Sequence, residues 1–374
     1  MKLIINASTL YGTGVSQVAI SFMEECINHK DNKYLVFLSD AVASSIDYTK
    51  FTSNFSFHVF KGKLYNPIHW NNIRKMKRLA DNFKADCMFS VFGPSWWTPK
   101  VPHLQGYAFP HYVNPDSPIW NIMSYKERLK RGVFKIIHKY ALLSAGKYFV
   151  CETSDVSDRL SKFLNISNKN IFTVSNTANA FFRNYKEDYS KKTESKEFRF
   201  FSMCSPYLHK NLGILNQVIP ILDDLKADTV FYVTLKEEDF NILFHPEVRH
   251  RIRNVGVLKP QECPVLANNC DALFLPTLLE CFSASYPEAM ILKKPIITSN
   301  LSFAQIICGN SALYFDPLNP LDIANKIIKL INDKQLQLEL IAQGQKRIKE
   351  FYTPSQRAKA YLDICEGLIK SQKK

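Results

Sequence analysis

The apolar positions of this chain fall alternately into short runs and helical stripes. Residues 2–5 read as a first strand, and residues 15–27 as a helix with Val15, Val18, Ala19, Phe22 and Cys26 on one face. A second strand follows at 34–38. Further strands are predicted at 86–91, 101–107, 147–151 and 171–174, with a long helix over 120–144 and a capped helix over 154–164. Residues 184–197 are charged and short of apolar side chains, which marks a linker. The alternation then restarts. Strands are predicted at 198–203, 229–235, 255–258 and 272–275, a helix at 212–222, and three closing helices at 321–330, 336–348 and 354–369. Such alternation means parallel sheets covered by helices on both faces, an α/β class. A chain of 374 residues exceeds one ordinary core, so two domains are expected, 1–183 and 198–350, followed by a last segment 351–374.

The most informative stretch runs from Asp271 to Met290. Its apolar run ends at Pro276, a short irregular segment follows, and a helix begins near Ser285 with Pro287 in the first turn. Strand, loop and helix N-terminus together make an anion site at the carboxyl edge of a sheet. Ser285-x-x-Glu288 reads as a capping box, which gives Glu288 a structural role. Glu280 has no such role, and a carboxylate beside an anion site suits sugar hydroxyls better than phosphates.

Pro276-Thr-Leu-Leu-Glu280, then seven residues, then Glu288-Ala-Met290 resembles the glutamate-x7-glutamate signature of the family 4 retaining glycosyltransferases, glycosyltransferase group 1. The resemblance continues through Lys294-Pro295-Ile296-Ile297-Thr298 and Ala312-Leu-Tyr-Phe-Asp316-Pro317. It implies the GT-B fold, two Rossmann-like domains whose parallel sheets face a central cleft, with the last helix crossing back to the N-terminal domain. It implies donor binding by Glu288 at the ribose, by Glu280 near the sugar, and by the Cys281-Phe282-Ser283 backbone at the diphosphate. Lys210 and Asn211 match the family's diphosphate-gripping pair, Gly12, Thr13 and Gly14 its N-terminal glycine loop, and His111 its cleft histidine, with His103 as the alternative. Expected catalytic residues are therefore Glu280, His111 and Lys210. The implied partners are a nucleotide-diphosphate sugar and a glycan or lipid-linked acceptor in bacterial surface polysaccharide synthesis, with no metal or other cofactor. Three positions depart from the pattern: Cys281 and Ser283 stand where glycines are usual, and Ser205 where an arginine is common.

Independently of that resemblance, a lysine such as Lys210 before an apolar helix opposes the helix dipole unless an anion is shared between them. Gly12-x-Gly14 with the later Asp40 also invites a dinucleotide reading, although Gln17 replaces the third glycine and the glycines come late after the strand. The formal charge of +14 favours anionic partners. No nucleic-acid motif is present. Aromatic and basic residues gather at Trp70–Arg78, Trp96-Trp97 and Lys126–Arg131, which suggests docking to an anionic membrane face. Nine scattered cysteines without a C-x-x-C pair suit a reducing, cytoplasmic setting, and no apolar run reaches membrane-span length. Two rivals follow from the departures and the glycine loop: a catalytically silent nucleotide-sugar binder, and a nicotinamide oxidoreductase.

Overall fold

The computed structural model describes residues 1–64, 66, 69–186 and 196–372, with only the backbone of Thr13. The chain divides into two units, Met1–Val113 with Tyr125–Asn176 and Tyr352–Lys374, and Asn114–Ser124 with Thr177–Phe351. Segments 114–124 and 177–183, assigned from sequence to the first domain, group with the second unit. Of the predicted linker 184–197, residues 187–195 lie outside the described residues.

The first unit is built on β1 (Lys2–Ala7), β2 (Lys33–Ser39), β3 (Phe55–Phe60), β4 (Cys87–Ser90), β5 (His103–Gly106), β6 (Tyr148–Cys151) and β7 (Ile171–Thr173), ordered β3-β2-β1-β4-β5-β6-β7 and all parallel. The period of two along each strand distributes its side chains to two cores. Leu3, Ile5, Val36 and Leu38 join the cluster on one face, and Ile4, Leu35 and Phe37 the cluster on the other. Both faces are therefore apolar and need helices over them.

The second unit repeats the design with β8 (Phe198–Ser202), β9 (Thr229–Val233), β10 (Ile252–Asn254), β11 (Ala272–Leu275), β12 (Ile296–Ser299) and β13 (Ala312–Phe315), ordered β10-β9-β8-β11-β12-β13. Phe200, Ala272 and Phe274 face one core, and Phe201, Leu273 and Leu275 the other. In both units the chain lays strands to one side of its first strand, then jumps back and continues on the other side. Loops diverge at that reversal, which is where α/β sheets hold ligands.

Three predicted elements differ. The long helix over 120–144 is interrupted: Ile119–Ile122 forms one turn, Met123 is extended, and a new helix runs Tyr125–Ala145. Met123 turns inward to pack with Ile119, Leu278 and Leu279, and this burial breaks the helix. The strand expected at 255–258 lies instead at Ile252–Asn254, because this edge strand is short and Val255 and Val257 are exposed beyond it. The helix expected from Leu212 opens as a 3-10 turn, Leu212–Ile214, and becomes α-helical at Leu215–Asp224.

The last helix, Pro354–Gln372, packs within the first unit through Ala358, Tyr361, Leu362, Cys365 and Leu368, an i, i+3, i+4, i+7 stripe. Tyr361 meets Phe22 and Phe89 at ring distances of 5.6 and 4.8 Å. Arg357 is buried, and its guanidinium donates to Asn176 and to Ser21. Tyr361→Ala is expected to destabilise the first unit by about 3–5 kcal/mol, the usual cost of deleting a buried aromatic. Urea unfolding checks this, and an unchanged midpoint would show that the helix is not integral to that core.

Candidate active site

In the second unit, β8 and β11 are neighbours on either side of the reversal, paired at Phe201 and Leu273. The loop after β8, Met203–Tyr207, continues into the 3-10 turn Leu208–Lys210, and the loop after β11 runs from Pro276 to Ala284. Thr277 and Leu278 stitch the two loops together: the Thr277 hydroxyl and the Leu278 N–H donate to the His209 carbonyl at 3.0 and 2.7 Å. Lys210 and Glu280, 70 positions apart in sequence, are thereby brought into direct contact as a hydrogen-bonded ion pair. Only 16% and 11% of their side chains are exposed. The Thr277 hydroxyl sits 3.2 Å from the same carboxylate oxygen.

Burial by itself would depress the Lys210 ammonium, but the Glu280 carboxylate outweighs it and holds the lysine above its ordinary range. The anion that Lys210 shares is thus supplied first by the protein. Cys204, close to the pair, is pushed up to about 11 by burial, with Lys210 and Glu280 acting in opposite directions on it. It is a protonated thiol at neutral pH.

Asn211 has a left-handed backbone, φ 55°, and joins the two 3-10 turns. Its side-chain amide donates to the Pro317 carbonyl at 2.9 Å, so the segment after β13 fixes the bend that presents Lys210. Cys281, Phe282 and Ser283 are buried. Their side chains turn into the protein, so residues larger than glycine fit this loop. Tyr286, at the start of the helix Ser285–Ile291, hydrogen-bonds Thr298 at 2.8 Å, and Thr298 donates to the Leu275 carbonyl at 2.7 Å. The helix is thereby locked to the ends of β11 and β12.

The capping box predicted at Ser285 and Glu288 does not form. Ala284 precedes the helix with helical backbone angles, so Ser285 is already a helical residue and its N–H is not the group that Glu288 serves. The Glu288 carboxylate instead accepts from the Asn179 N–H at 3.4 Å, and burial raises it to about 7. Sequence reasoning also missed the segment 114–124. Ser117 donates to the Leu278 carbonyl at 2.7 Å, and Ile119 and Met123 pack on Leu278 and Leu279, bracing the turn that carries Glu280. Ser117-Pro118 before an apolar turn was the one available signal.

The other expected site residues lie in the first unit. Gly12 precedes the helix Thr13–Cys26, with Gly14 in its first turn; the Thr13 side chain lies outside the described residues. His111 sits half-buried in the short helix Pro110–Val113, just beyond β5. His103 is excluded as a reactive group: it is buried, its Nδ1 donates to the Ala145 carbonyl at 2.9 Å, and its Nε2 accepts from Ser90 at 2.8 Å. Burial lowers it to about 4. Trp97 is buried in the core, so the Trp96-Trp97 pair does not form a surface patch. Beyond the carboxyl ends of β1, β4 and β5 opens a cavity of about 350 Å³, walled by Leu10, Leu64, Phe92, Trp96 and Phe109 with Lys63 and His138 at its polar margin. Among the described residues, no group of three or more His, Cys, Asp or Glu is placed to hold a metal ion.

Residues 186–347 match the family model described as Glycosyl transferases group 1. The matched segment includes Lys210, Asn211, Glu280 and Glu288. The chain is 31% identical over 103 residues to the capsular polysaccharide biosynthesis glycosyltransferase CapM of Staphylococcus aureus, a match spanning 27% of each protein. Over nearly its whole length it superposes on a glycosyltransferase of Rickettsia africae, at TM-score 0.73 with 14% identity, covering 99% of this chain and 98% of that one. Anabaena HepE, crystallised with UDP and glucose, matches with TM-score 0.73 and 12% identity over 98% of this chain and all of its own. These likenesses show the fold, two Rossmann-like parallel-sheet units of the GT-B class. Asp40, the ribose ligand of the dinucleotide reading, lies in the first turn of the short helix Asp40–Ala43, capped by Ser39.

Two outcomes test the site. Lys210→Met leaves the Glu280 carboxylate buried without its cation and is expected to cost about 3 kcal/mol. The double variant Lys210→Met/Glu280→Gln should recover most of that loss in denaturant unfolding; additive losses would show that the two are not coupled. Glu288 binds an extra proton in the folded state between its ordinary 4.5 and about 7. Its contribution to stability therefore falls as pH rises through that window, and the cost of burying the charge is fully present above it. Glu288→Gln should melt higher than wild type at pH 8 and equal to it near pH 4, and a pH-independent difference would contradict the assignment.

Proposed function

We propose that the protein is a retaining glycosyltransferase of family 4 that moves a sugar from a nucleoside diphosphate to a hydroxyl of a glycan or lipid-linked acceptor in surface polysaccharide synthesis. The observation that carries this reading is the Lys210–Glu280 pair at the strand-order reversal of the group 1 domain, beside the helix that carries Glu288. An ammonium has three N–H groups, and Glu280 uses one of those of Lys210. The remaining donors of that ammonium suit a diphosphate whose charge grows as the sugar departs. Glu280 suits the sugar hydroxyls and Glu288 the ribose. The UDP and glucose of HepE and the capsular role in CapM's name support a UDP-sugar donor and a polysaccharide product.

In the reaction, the bond from the anomeric carbon to the diphosphate oxygen breaks and a bond to the acceptor oxygen forms on the same face. The departing phosphate takes the acceptor's proton, so no separate base and no metal is invoked. The apolar cavity of the first unit supports an acceptor with a substantial hydrocarbon or stacked-ring portion.

A second reading is favoured by Ser205, an exposed hydroxyl at the position of the family's arginine, and by the charge of Lys210 being already balanced. It makes the protein a nucleotide-sugar binder without turnover. Thermal shifts with UDP, GDP, ADP, CDP and NAD, followed by transfer assays, separate the readings. One nucleoside diphosphate should stabilise wild type, and Lys210→Ala should lower transfer by about 100-fold or more. Affinity should rise from pH 6 to pH 8 more steeply in wild type than in Glu288→Gln, because the ionised carboxylate accepts from the ribose hydroxyls. Binding without transfer selects the silent reading, and a shift with NAD alone removes both.

A further inference from the structure

The helix Tyr125–Ala145 of the first unit has two apolar faces. Ala141, Leu142 and Ala145 are buried, and Phe134 and His138 face the same way. The His138 ring lies 4.8 Å from Phe109 and 5.3 Å from Trp96. That face is fully accounted for by the first unit's own packing.

The opposite side carries a second stripe. Tyr125, Leu129, Val133, Ile136, Tyr140 and Leu143 follow one another at intervals of three or four residues, which on a 3.6-residue helix confines them to roughly a quarter of the circumference. They are 81%, 60%, 52%, 73%, 77% and 38% exposed. Six large apolar side chains open in one row are a contiguous patch, unlike singly scattered surface residues. Cations border the row, Lys126 and Lys130 along one edge and Arg128 along the other, while Lys135 and Lys139 on that second side lie over the Phe163 ring and Lys139 donates to the Phe163 carbonyl at 2.7 Å. The helix holds six Lys or Arg and a single acid, Glu127, which lies off the stripe.

We propose that this outward stripe docks on an anionic lipid bilayer, with the helix lying in the plane of the interface. Apolar side chains entering the acyl boundary while a cationic border meets the headgroups is the arrangement by which amphipathic helices hold to such surfaces. The tyrosines, Tyr125 and Tyr140, have rings suited to the headgroup level. Among the described residues no helix is long and apolar enough to cross a membrane, so the contact is lateral. Charge also decides against a second copy of the chain as the occupant. Two such stripes face to face would bring together borders of the same sign, with one acid apiece to offset six cations. The proposal stands on this helix alone and does not depend on the glycosyltransferase reading.

The test is co-sedimentation of the full chain with vesicles of phosphatidylcholine alone and of phosphatidylcholine mixed with phosphatidylglycerol. The protein should pellet with the mixed vesicles at low salt, stay in solution with phosphatidylcholine alone, and release as salt rises. Lys126→Gln/Lys130→Gln should weaken binding about fivefold per charge removed. Leu129→Ser/Ile136→Ser/Tyr140→Ser should abolish it at every salt concentration while keeping the wild-type melting temperature, since all three side chains are exposed. Wild type remaining in solution with mixed vesicles would overturn the proposal, as would the triple serine variant pelleting like wild type. A concentration-dependent rise in molecular mass that the triple variant removes, without vesicle binding, would assign the stripe to a second copy instead.

Discussion

Parallel strands buried on both faces are the constraint from which the rest of this structure follows. Leu3 and Ile4 point to opposite cores, as do Phe200 and Phe201, so neither sheet has a face that water can cover. Most strands are followed by a crossover helix, and each sheet grows outward from its first strand in two directions. The loops after β1 and β4, and those after β8 and β11, diverge at the reversal of strand order in each sheet.

The two units use that position differently. In the first, the polar groups at the reversal satisfy one another: Asn6 donates to Ser90 at 3.0 Å, Ser90 to His103, and His103 to Ala145. This chain is sealed and carries no charge, and the open space beyond it is walled by aromatic and aliphatic side chains. In the second, an ion pair stands in the segments that follow β8 and β11 and keeps limited contact with solvent. Charge held at low dielectric by Thr277 and the stitched loops is suited to a charged ligand, because its donors are already oriented before the ligand arrives.

Around the pair, much of the local chemistry is support. Asn211 is tied to Pro317, Ser117 and Ile119 brace the turn before Glu280, and the Tyr286–Thr298 contact fixes the helix that bears Glu288. The side chains of Cys281 and Ser283 are buried in this loop.

The sequence by itself determined the α/β class and most strands, because these rest on local periodicity and turn residues that act over a few positions. Ala272–Leu275, Ser154–Leu164 and the start of the helix at Ser285 were legible for that reason. Tertiary structure alone decided what depends on partners distant in the chain. Lys210 meets Glu280 across 70 positions, Glu288 turns from the expected cap to the Asn179 N–H, and Met123 leaves helical geometry to reach Leu278 and Leu279. For Met123 a local helical preference gave way to burial of an apolar side chain, which is worth more.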